Sequence, residues 1–301
     1  MIRIEDSVLR FNNLGVLNPL LCDKTTKENI IWATAEHAEM GEGFCEKDFI
    51  TPQHITGEYS GLIKTRARRA QAQQSDRTKK HGEVFTPVWM CKMMNDFADE
   101  DWFGEKGAFD SKTELVTFPT GKTWQNYVDS RRLEICCGEA PFLVSRYDSS
   151  TGEEMEIKNR IGILDRKLRV VNENTDNEEE WLKWAFRALQ ATYGYEFQGD
   201  NLLIARINVV ETFCEYLKWR WFREPTKKEL EQAVNVAVWN LWQMDGLTGT
   251  VPLYEEENLN FTFDDFLGTG TKNQPPSRVY DWRSGKSVEF KSIKAKKGQE
   301  K

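Results

Sequence analysis

Apolar residues between positions 130 and 245 follow two alternating patterns. The stretch RRLEICCG (131–138) is a short apolar run ended by Gly138, and ATYGYEF (191–197) has the composition of a strand. A long apolar helix is predicted over 202–222. Another helix is indicated by apolar side chains at helical spacing at Trp181, Leu182, Ala185, Phe186 and Leu189. Strands alternating with helices predict parallel strands joined by crossover helices, so the expected fold class is α/β.

Local end signals refine these elements. A helix is predicted to begin near Val88, where the preceding proline fixes the entry of the chain. A further helix is expected after Pro141. GDN (199–201) is predicted to be a turn. TKKE (226–229) fits a capping box that opens the next helix. Near the C-terminus, SVEFKSI (287–293) is a predicted strand.

Three regions are expected along the chain. Residues 1–80 form an N-terminal mixed, α-rich extension that ends in a basic connector. Residues 81–254 hold the alternating strands and helices. Residues 255–301 form a C-terminal extension with a turn-rich segment, a short strand and a basic tail that is expected to fray.

Composition narrows the class of protein. The chain has 301 residues, is 39% hydrophobic and contains 11 Trp, which excludes a disordered chain. No apolar run approaches the length of a membrane span, and the start of the chain lacks a signal-peptide core, so a cytoplasmic protein is expected. The six Cys have no C-x-x-C spacing and are expected to be reduced thiols. Since the three His are scattered, no metal site is predicted.

The net charge of −7 conceals a basic segment at residues 64–80. There a single acid, Asp76, leaves a local charge of +6. The basic residues are Lys64, Arg66, Arg68, Arg69, Arg77, Lys79 and Lys80. Such a patch on an acidic protein is able to bind nucleic-acid phosphates. The alternative is an ordinary solvated face or linker, with residues 67–82 forming an exposed helix that runs into a connector.

The strongest candidate for a ligand site is LEICCGEAPFL (133–143). Ligands of α/β sheets bind beyond the carboxyl ends of the strands, where a glycine turn lets the backbone approach the ligand. Gly138 is placed for such a turn. Glu196 ends the next predicted strand, where a carboxylate can accept hydrogen bonds from ribose hydroxyls. The alternatives are a plain strand–helix connection and a solvated acid.

Four ordered segments resemble the amino-methyltransferases of restriction–modification systems, in particular short sequences of the modification (M) subunit type. GEVFTP (82–87) resembles the F-T-P element that lies against the methionine end of S-adenosylmethionine (SAM). LEICCGEAPF (133–142) resembles D-P-A-C-G-S-G-x-F, with alanine at the second glycine. YGYEFQGDNLLIAR (193–206) resembles Y-G-x-E/D…D-N…A-R, and WQMDGL (242–247) resembles the element whose acid meets the adenine amino group.

This resemblance covers residues 80–250 and implies a SAM-dependent, Rossmann-like methyltransferase sheet with SAM as cofactor. Glu134 stands at the family's first-strand acid, Glu196 at the ribose acid and Asp245 at the adenine acid. The implied cofactor-binding residues are Phe85, Thr86, Pro87, Glu134, Cys137, Gly138, Ala140, Phe142, Glu196 and Asp245. Cys136 and Cys137 are interpreted as small apolar residues at a strand end, because no histidine is near in sequence to activate a thiol.

The residues that would hold the target amine for methyl transfer are distinct from those that bind the cofactor. The family holds the target amine with an [N/D/S]-P-P-[Y/F] loop, which this chain lacks. The nearest segment, NQPPS (273–277), has no aromatic residue after its prolines. Tyr280 and Trp282 are interpreted as apolar anchors, with stacking on a base as the alternative. Only 56 residues follow Asp245, too few for several further β/α units, so the predicted sheet is incomplete and no catalytic residue is assigned.

Three functions follow from these observations. The first is a SAM-dependent DNA adenine-N6 methyltransferase of a restriction–modification or phage-defence system, whose acceptor loop has diverged or comes from a second subunit. The second is a SAM-binding subunit without transferase activity that regulates or docks onto such a complex. The third is a nucleic-acid-binding module without cofactor, which the retained cofactor elements disfavour. DNA and a second restriction–modification subunit are the expected partners.

Overall fold

A parallel sheet of three strands forms the centre of the molecule. The computed structural model describes residues 2–69, 79, 86–253 and 274–297. The strands β1 (Arg132–Glu134), β2 (Thr192–Glu196) and β3 (Leu241–Gln243) lie side by side in chain order. Leu133 pairs with Tyr193, and Tyr195 pairs with Trp242. The prediction of an α/β fold with parallel strands is therefore confirmed, although β1 is shorter than the apolar run that predicted it.

Helices precede and connect these strands, and a hairpin follows them. The helices are α1 (Ile4–Asn13), α2 (Leu17–Leu21), α3 (Val88–Phe103), α4 (Trp124–Val128), α5 (Ile163–Asn174), α6 (Glu178–Gln190), α7 (Gly199–Trp221), α8 (Lys227–Asn240) and α9 (Phe290–Lys297). The antiparallel hairpin consists of β4 (Arg278–Asp281) and β5 (Lys286–Glu289). No helix in the described ranges is long and apolar enough to cross a membrane.

Helix α7 is apolar on nearly all sides because it lies inside the molecule, between the sheet and the other helices. The N-terminal helices α1 and α2 pack against α7 and α8. One hydrophobic core consequently runs from Ile2 through α7 to Leu241. The predicted boundary at residue 80 does not separate two cores, since residues 2–69 share theirs with the sheet region.

Two buried cations tie the sheet to its surroundings. The ammonium group of Lys167 donates to the carbonyls of Ser130 (2.6 Å) and Ala191 (2.9 Å), directly before β1 and β2. Burial lowers the pKa of Lys167 well below its usual range. The guanidinium of Arg206 donates to the carbonyls of Leu241 (2.9 Å) and Leu20 (2.7 Å), and burial lowers its pKa to about 10. These two hydrogen bonds of Arg206 join β3 to the N-terminal region.

Several predicted helix ends are confirmed. Helix α3 begins at Val88 after Pro87, and α6 covers the apolar stripe predicted from Trp181 onward. At the start of α8 the hydroxyl of Thr226 accepts from the backbone N–H of Glu229, and the Glu229 carboxylate accepts from the N–H of Thr226 in return. This reciprocal pair is the predicted capping box.

The helix predicted after Pro141 is wrong. A single turn closes at Val144, whose N–H donates to the carbonyl of Ala140. The Phe142 carbonyl accepts from the side-chain amide of Asn95 (3.0 Å) and from the backbone N–H of Ile163 (2.9 Å). The next helix, α5, begins only at Ile163.

One further element prediction is wrong, and another is confirmed only in part. GDN (199–201) is not a turn but the first turn of α7, and the N–H of Gly199 donates to the carbonyl of Trp32. A Cβ at Gly199 would collide with the Ile31 carbonyl, so glycine serves a close approach here. The strand predicted over 287–293 ends at Glu289, because Phe290 begins α9 and packs on Tyr195 and Trp242.

Candidate functional site

A cleft of about 440 Å³ lies at the carboxyl ends of the three parallel strands. Its volume falls in the usual range for small-molecule sites, roughly 300–1,000 Å³. Among the predicted cofactor residues, the structure brings seven to its wall: Thr86, Glu134, Cys137, Gly138, Phe142, Glu196 and Asp245. An α/β sheet places its ligands at this edge, because the loops that follow parallel strands meet there.

Glu134 ends β1 and is almost fully buried, with 8% of its surface exposed. Its Oε2 atom is buried and has no hydrogen-bond partner among the described residues. Burial raises the pKa of the Glu134 carboxyl well above its usual range, while the backbone N–H groups of Phe142 and Leu143 oppose that rise. A buried carboxylate oxygen without a partner is costly, so a ligand that brings a cation or a donor to it would be favoured.

Glu196 ends β2 and joins that strand to the loop after β1. Its Oε2 accepts from the N–H of Gly138 (2.8 Å) and its Oε1 from the N–H of Gln198 (3.1 Å). Burial raises the pKa of Glu196, and these two N–H groups act against the rise. Because each carboxylate oxygen has two lone pairs, both can still accept a bond from a ligand hydroxyl.

The loop after β1 turns through three left-handed residues. The φ angles are +49° at Cys136, +53° at Gly138 and +66° at Ala140. Nothing lies within 4 Å of the position of a Cβ on Gly138, so glycine is needed there for its backbone angle and leaves open space. Ala140 is fully buried and shapes the turn without lining the cleft.

Cys137 lies beneath the loop, against Gly194 of β2. Burial raises the pKa of the Cys137 thiol well above its usual range, with the nearby Glu134 and Glu196 acting in the same direction. The thiol stays protonated at neutral pH and is no nucleophile. This agrees with its interpretation as a small apolar residue at a strand end.

Asp245 follows β3 and completes the row of acids. Its Oδ1 accepts from the N–H groups of Leu247 (2.8 Å) and Thr248 (3.2 Å), which holds a tight turn at the rim of the cleft. The Leu247 side chain at the tip of that turn is 99% exposed. An apolar wall beside a carboxylate suits a flat ring that carries an amino group.

The predicted F-T-P element reaches the cleft through one residue. Thr86 lines the wall, and its carbonyl accepts from the Ser149 hydroxyl at 2.8 Å. Pro87 caps α3 and does not line the cleft. Phe85 lies outside the described residues.

Of the five described cations of the basic segment, Arg66, Arg68 and Arg69 contact the rest of the protein. Arg68 forms an ion pair with Glu5, and the buried Arg69 donates to Asp200 (3.4 Å) and Asn201 (3.0 Å). These two residues therefore do not form the predicted phosphate-binding face. Arg66 lines the cleft instead.

Lys64 and Lys79 are exposed, whereas Arg77 and Lys80 lie outside the described residues. Within residues 67–82, the structure describes the end of the short 3₁₀ turn Arg66–Arg68, Arg69 in extended conformation, and Lys79, which is helical and exposed. The exposed helix predicted there is wrong as far as Arg69.

Sequence reasoning missed Glu139, which lines the cleft next to Gly138. Its Oε2 accepts from the Tyr147 hydroxyl (2.7 Å), and the side-chain amide of Asn208 donates to its carbonyl (3.0 Å). Its position directly after Gly138 was the one feature of the sequence that could have indicated a place in the cleft. Its partners lie far away in sequence and give none.

A second group of possible ligand atoms lies in a neighbouring pocket. Carboxylate and imidazole atoms of Glu36, His37 and Asp200 come within 4.8 Å of one another. The Arg69 guanidinium already lies on Asp200, so a positive partner is present and we assign no metal to the group.

Fold and site together define an α/β protein with an acid-lined ligand cleft at the ends of three parallel strands. Comparison of the chain with protein-family models, with curated proteins and with solved structures finds no significant match.

Proposed function

We propose that this chain binds SAM in the cleft and belongs functionally to the DNA adenine-N6 methyltransferases of restriction–modification or phage-defence systems. One observation carries the cofactor assignment: Glu134 ends β1, Glu196 ends β2, Asp245 follows the end of β3, and all three line the same cleft. The DNA acceptor is supported by the four ordered segments that resemble that family.

The three acids select among nucleotide-like ligands by charge. SAM has a cationic methionine end, ribose hydroxyls and an adenine amino group, which are all cations or hydrogen-bond donors. Dinucleotides have an anionic pyrophosphate, which would have to enter beside the buried Glu134 and Glu196. A pyrophosphate has no hydrogen-bond donor for these two carboxyl groups, so it cannot supply the bonds that ribose hydroxyls or an ammonium group would supply. The acids thus favour SAM over NAD or ATP.

Each acid suits one part of SAM. Glu134, with its unpartnered oxygen, suits the cationic end, and Thr86 lies on the same wall. Glu196, held in place by two backbone N–H groups, suits the ribose hydroxyls. Asp245 beside the exposed Leu247 suits the adenine ring and its amino group.

A second candidate is a SAM-binding subunit that does not transfer methyl groups. It is favoured by the contacts of the Pro275-Pro276 pair, the only Pro-Pro pair in the sequence. The Pro275 carbonyl accepts from the N–H of Val251, and Pro276 forms a β-bridge with Thr250. Tyr280 and Trp282 pack on each other, with ring centroids 4.6 Å apart, and Trp282 donates to Asn240. These contacts are those expected of apolar anchors of the hairpin.

Calorimetry with SAM tests cofactor binding. We expect one SAM per chain, weak or absent binding of NAD, and a large loss of SAM affinity in Glu196→Gln. The matched control is Glu179→Gln, because Glu179 is an exposed acid on α6. No heat of binding with the intact chain would refute the proposal.

Tritiated-SAM transfer to mixed DNA separates the two candidates. The assay is run with the purified chain alone and with proteins encoded beside it. Transfer by the chain alone supports the methyltransferase. Transfer only with a second protein supports a shared site, and no transfer in either case, with SAM bound, supports the non-transferring subunit.

A further inference from the structure

The carboxyl group of Glu134 lies in surroundings that favour its neutral form. The side chain is 8% exposed, and its Oε2 atom has no hydrogen-bond partner among the described residues. The backbone N–H groups of Phe142 and Leu143 favour the carboxylate, whereas burial and the neighbouring Glu196 on β2 favour the neutral acid. An ion removed from water without a partner is costly, so a carboxyl group in such a place keeps its proton.

No described cation offsets the burial of this acid. The described charged residues that line the cleft with it are three acids and one arginine, Glu139, Glu196, Asp245 and Arg66. The Arg66 guanidinium is not among the groups that shift the pKa of Glu134. The thiols of Cys91 on α3 and of Cys137 also face Glu134, and burial raises the pKa of both, that of Cys91 to about 12. Both thiols are neutral at physiological pH, so a carboxylate at position 134 would have no positive partner in the described cleft wall.

We propose that the cleft exchanges a proton for the ammonium group of its ligand at Glu134. In the free protein the carboxyl group is protonated. When the ligand binds, the O–H bond of the carboxyl group breaks, the proton passes to the solvent, and the carboxylate accepts a hydrogen bond from the ammonium group. One positive charge enters the cleft as another leaves it. This inference rests on the proposed function, because it takes SAM as the ligand.

Hydrogen bonding selects the ammonium group over the sulfonium group of SAM. What Oε2 of Glu134 lacks is a donor. An ammonium group supplies N–H donors, whereas a sulfonium group has no hydrogen on its sulfur and can offer only its charge. S-adenosylhomocysteine keeps the ammonium group and lacks the sulfonium charge. We therefore expect it to release the same proton as SAM.

Calorimetry in two buffers counts the released protons. SAM is titrated into the full chain in MES and in imidazole at the same pH, and the difference in heat between the buffers measures the protons that they take up. We expect close to one proton per SAM, and an affinity that rises about tenfold between about pH 5.5 and about pH 6.5. The α-amino group of SAM keeps its proton over this range, because such groups titrate at about pH 7.7–8.0.

Variants identify the source of the proton. Glu134→Gln is expected to bind SAM more weakly, to release no proton and to lose the pH dependence of the affinity, whereas Glu179→Gln, at an exposed position on α6, should behave as the intact chain does. Binding of SAM without proton release would overturn the exchange and leave the proposed function standing. Proton release that persists in Glu134→Gln would assign the proton to another group, and release with SAM but not with S-adenosylhomocysteine would overturn the ammonium assignment.

Infrared difference spectroscopy tests the free protein without any ligand. The spectrum of the intact chain minus that of Glu134→Gln should contain the C=O band of a protonated carboxyl group at neutral pH, and addition of SAM should abolish this band. The difference between the intact chain and Glu179→Gln should lack it. Circular dichroism verifies that each variant is folded. Absence of the band from the ligand-free protein would overturn the exchange whether or not SAM binds.

Discussion

Replacement of Gly138 by alanine separates the backbone requirement of the cleft loop from its packing. Gly138 has a φ of +53°, in the left-handed region, and no atom lies within 4 Å of an added Cβ. The left-handed backbone costs an L-residue about 1–2 kcal/mol. No steric clash adds to this cost. We expect the free energy of unfolding to fall by about 1 kcal/mol, which lowers the melting temperature by roughly 2–4 °C in a protein of this size class.

The same methyl group is expected to weaken SAM binding by a larger factor. It projects from a loop that lines the cleft, into space that the cofactor occupies in the proposed function. Overpacking of a well-fitted site costs about 1–3 kcal/mol, equivalent to a roughly 5- to 150-fold weaker affinity. Calorimetry measures the affinity, and urea denaturation followed by tryptophan fluorescence measures the stability.

Gly15→Ala is the matched control. Gly15 also has a left-handed φ, +72°, with nothing within 4 Å of an added Cβ, and it lies between α1 and α2, away from the cleft. It should lose a similar amount of stability and keep its affinity for SAM. Unchanged SAM affinity in Gly138→Ala would show that the loop does not contact the ligand. A stability loss far above that of Gly15→Ala would show that the loop is packed more tightly than its geometry indicates.

Two further predictions concern stability. Glu134→Gln should be more stable than the intact chain at neutral pH, because burial raises the folded pKa of Glu134 well above its usual value and ionisation then opposes folding. The protonated Glu134 contributes its full stability below the pKa that it has in the unfolded chain, and this contribution is lost as the pH rises through its folded pKa. The stability gained by Glu134→Gln should therefore vanish in acid. If urea titrations show the same gain at every pH, ionisation of Glu134 is not its cause. Thr226→Ala should lose about 1 kcal/mol, because it removes the capping box of α8. The exposed Thr117→Ala serves as its control in thermal melts, and equal melting temperatures for the two would show that the cap contributes nothing.

Local sequence signals predicted the elements whose determinants are local. The apolar stripe from Trp181 onward identified α6, and TKKE (226–229) identified the start of α8, because helical spacing and capping involve residues within a few positions of each other. Strand β2 was also predicted, since its composition is that of a buried strand.

Distant contacts decided the elements that were predicted wrongly. In the segment after Pro141, the Phe142 carbonyl accepts from Asn95, 47 positions earlier, and from the N–H of Ile163. GDN (199–201) opens a helix because the N-terminal region places the Trp32 carbonyl against Gly199. No pattern near either segment reports these partners.

The residues of the candidate site also divide into those that local sequence could predict and those that depend on distant contacts. The strand-end acid Glu196 was predicted because the end of a buried strand is visible in sequence and its place in an α/β sheet follows from topology, whereas Glu134 was implied by the resemblance to the methyltransferases. The contact of Glu139 with Asn208 was not predicted, because it spans 69 positions. The ion pair of Arg68 was missed for a related reason, since its acid is the distant Glu5.

The three cleft acids, Glu134, Glu196 and Asp245, differ in how many partners the protein gives them, and this difference makes Glu134 the sharpest test of function. Glu196 uses both oxygens on backbone N–H groups, and one Asp245 oxygen holds a turn, whereas Oε2 of Glu134 has no partner in the described parts of the chain. A buried acid without a partner lowers stability, so it is expected where a ligand supplies the missing cation. Glu134→Gln should therefore gain stability and lose SAM affinity at the same pH. A purely structural acid would instead lose stability on substitution and leave the affinity unchanged, and that result would remove Glu134 from the site.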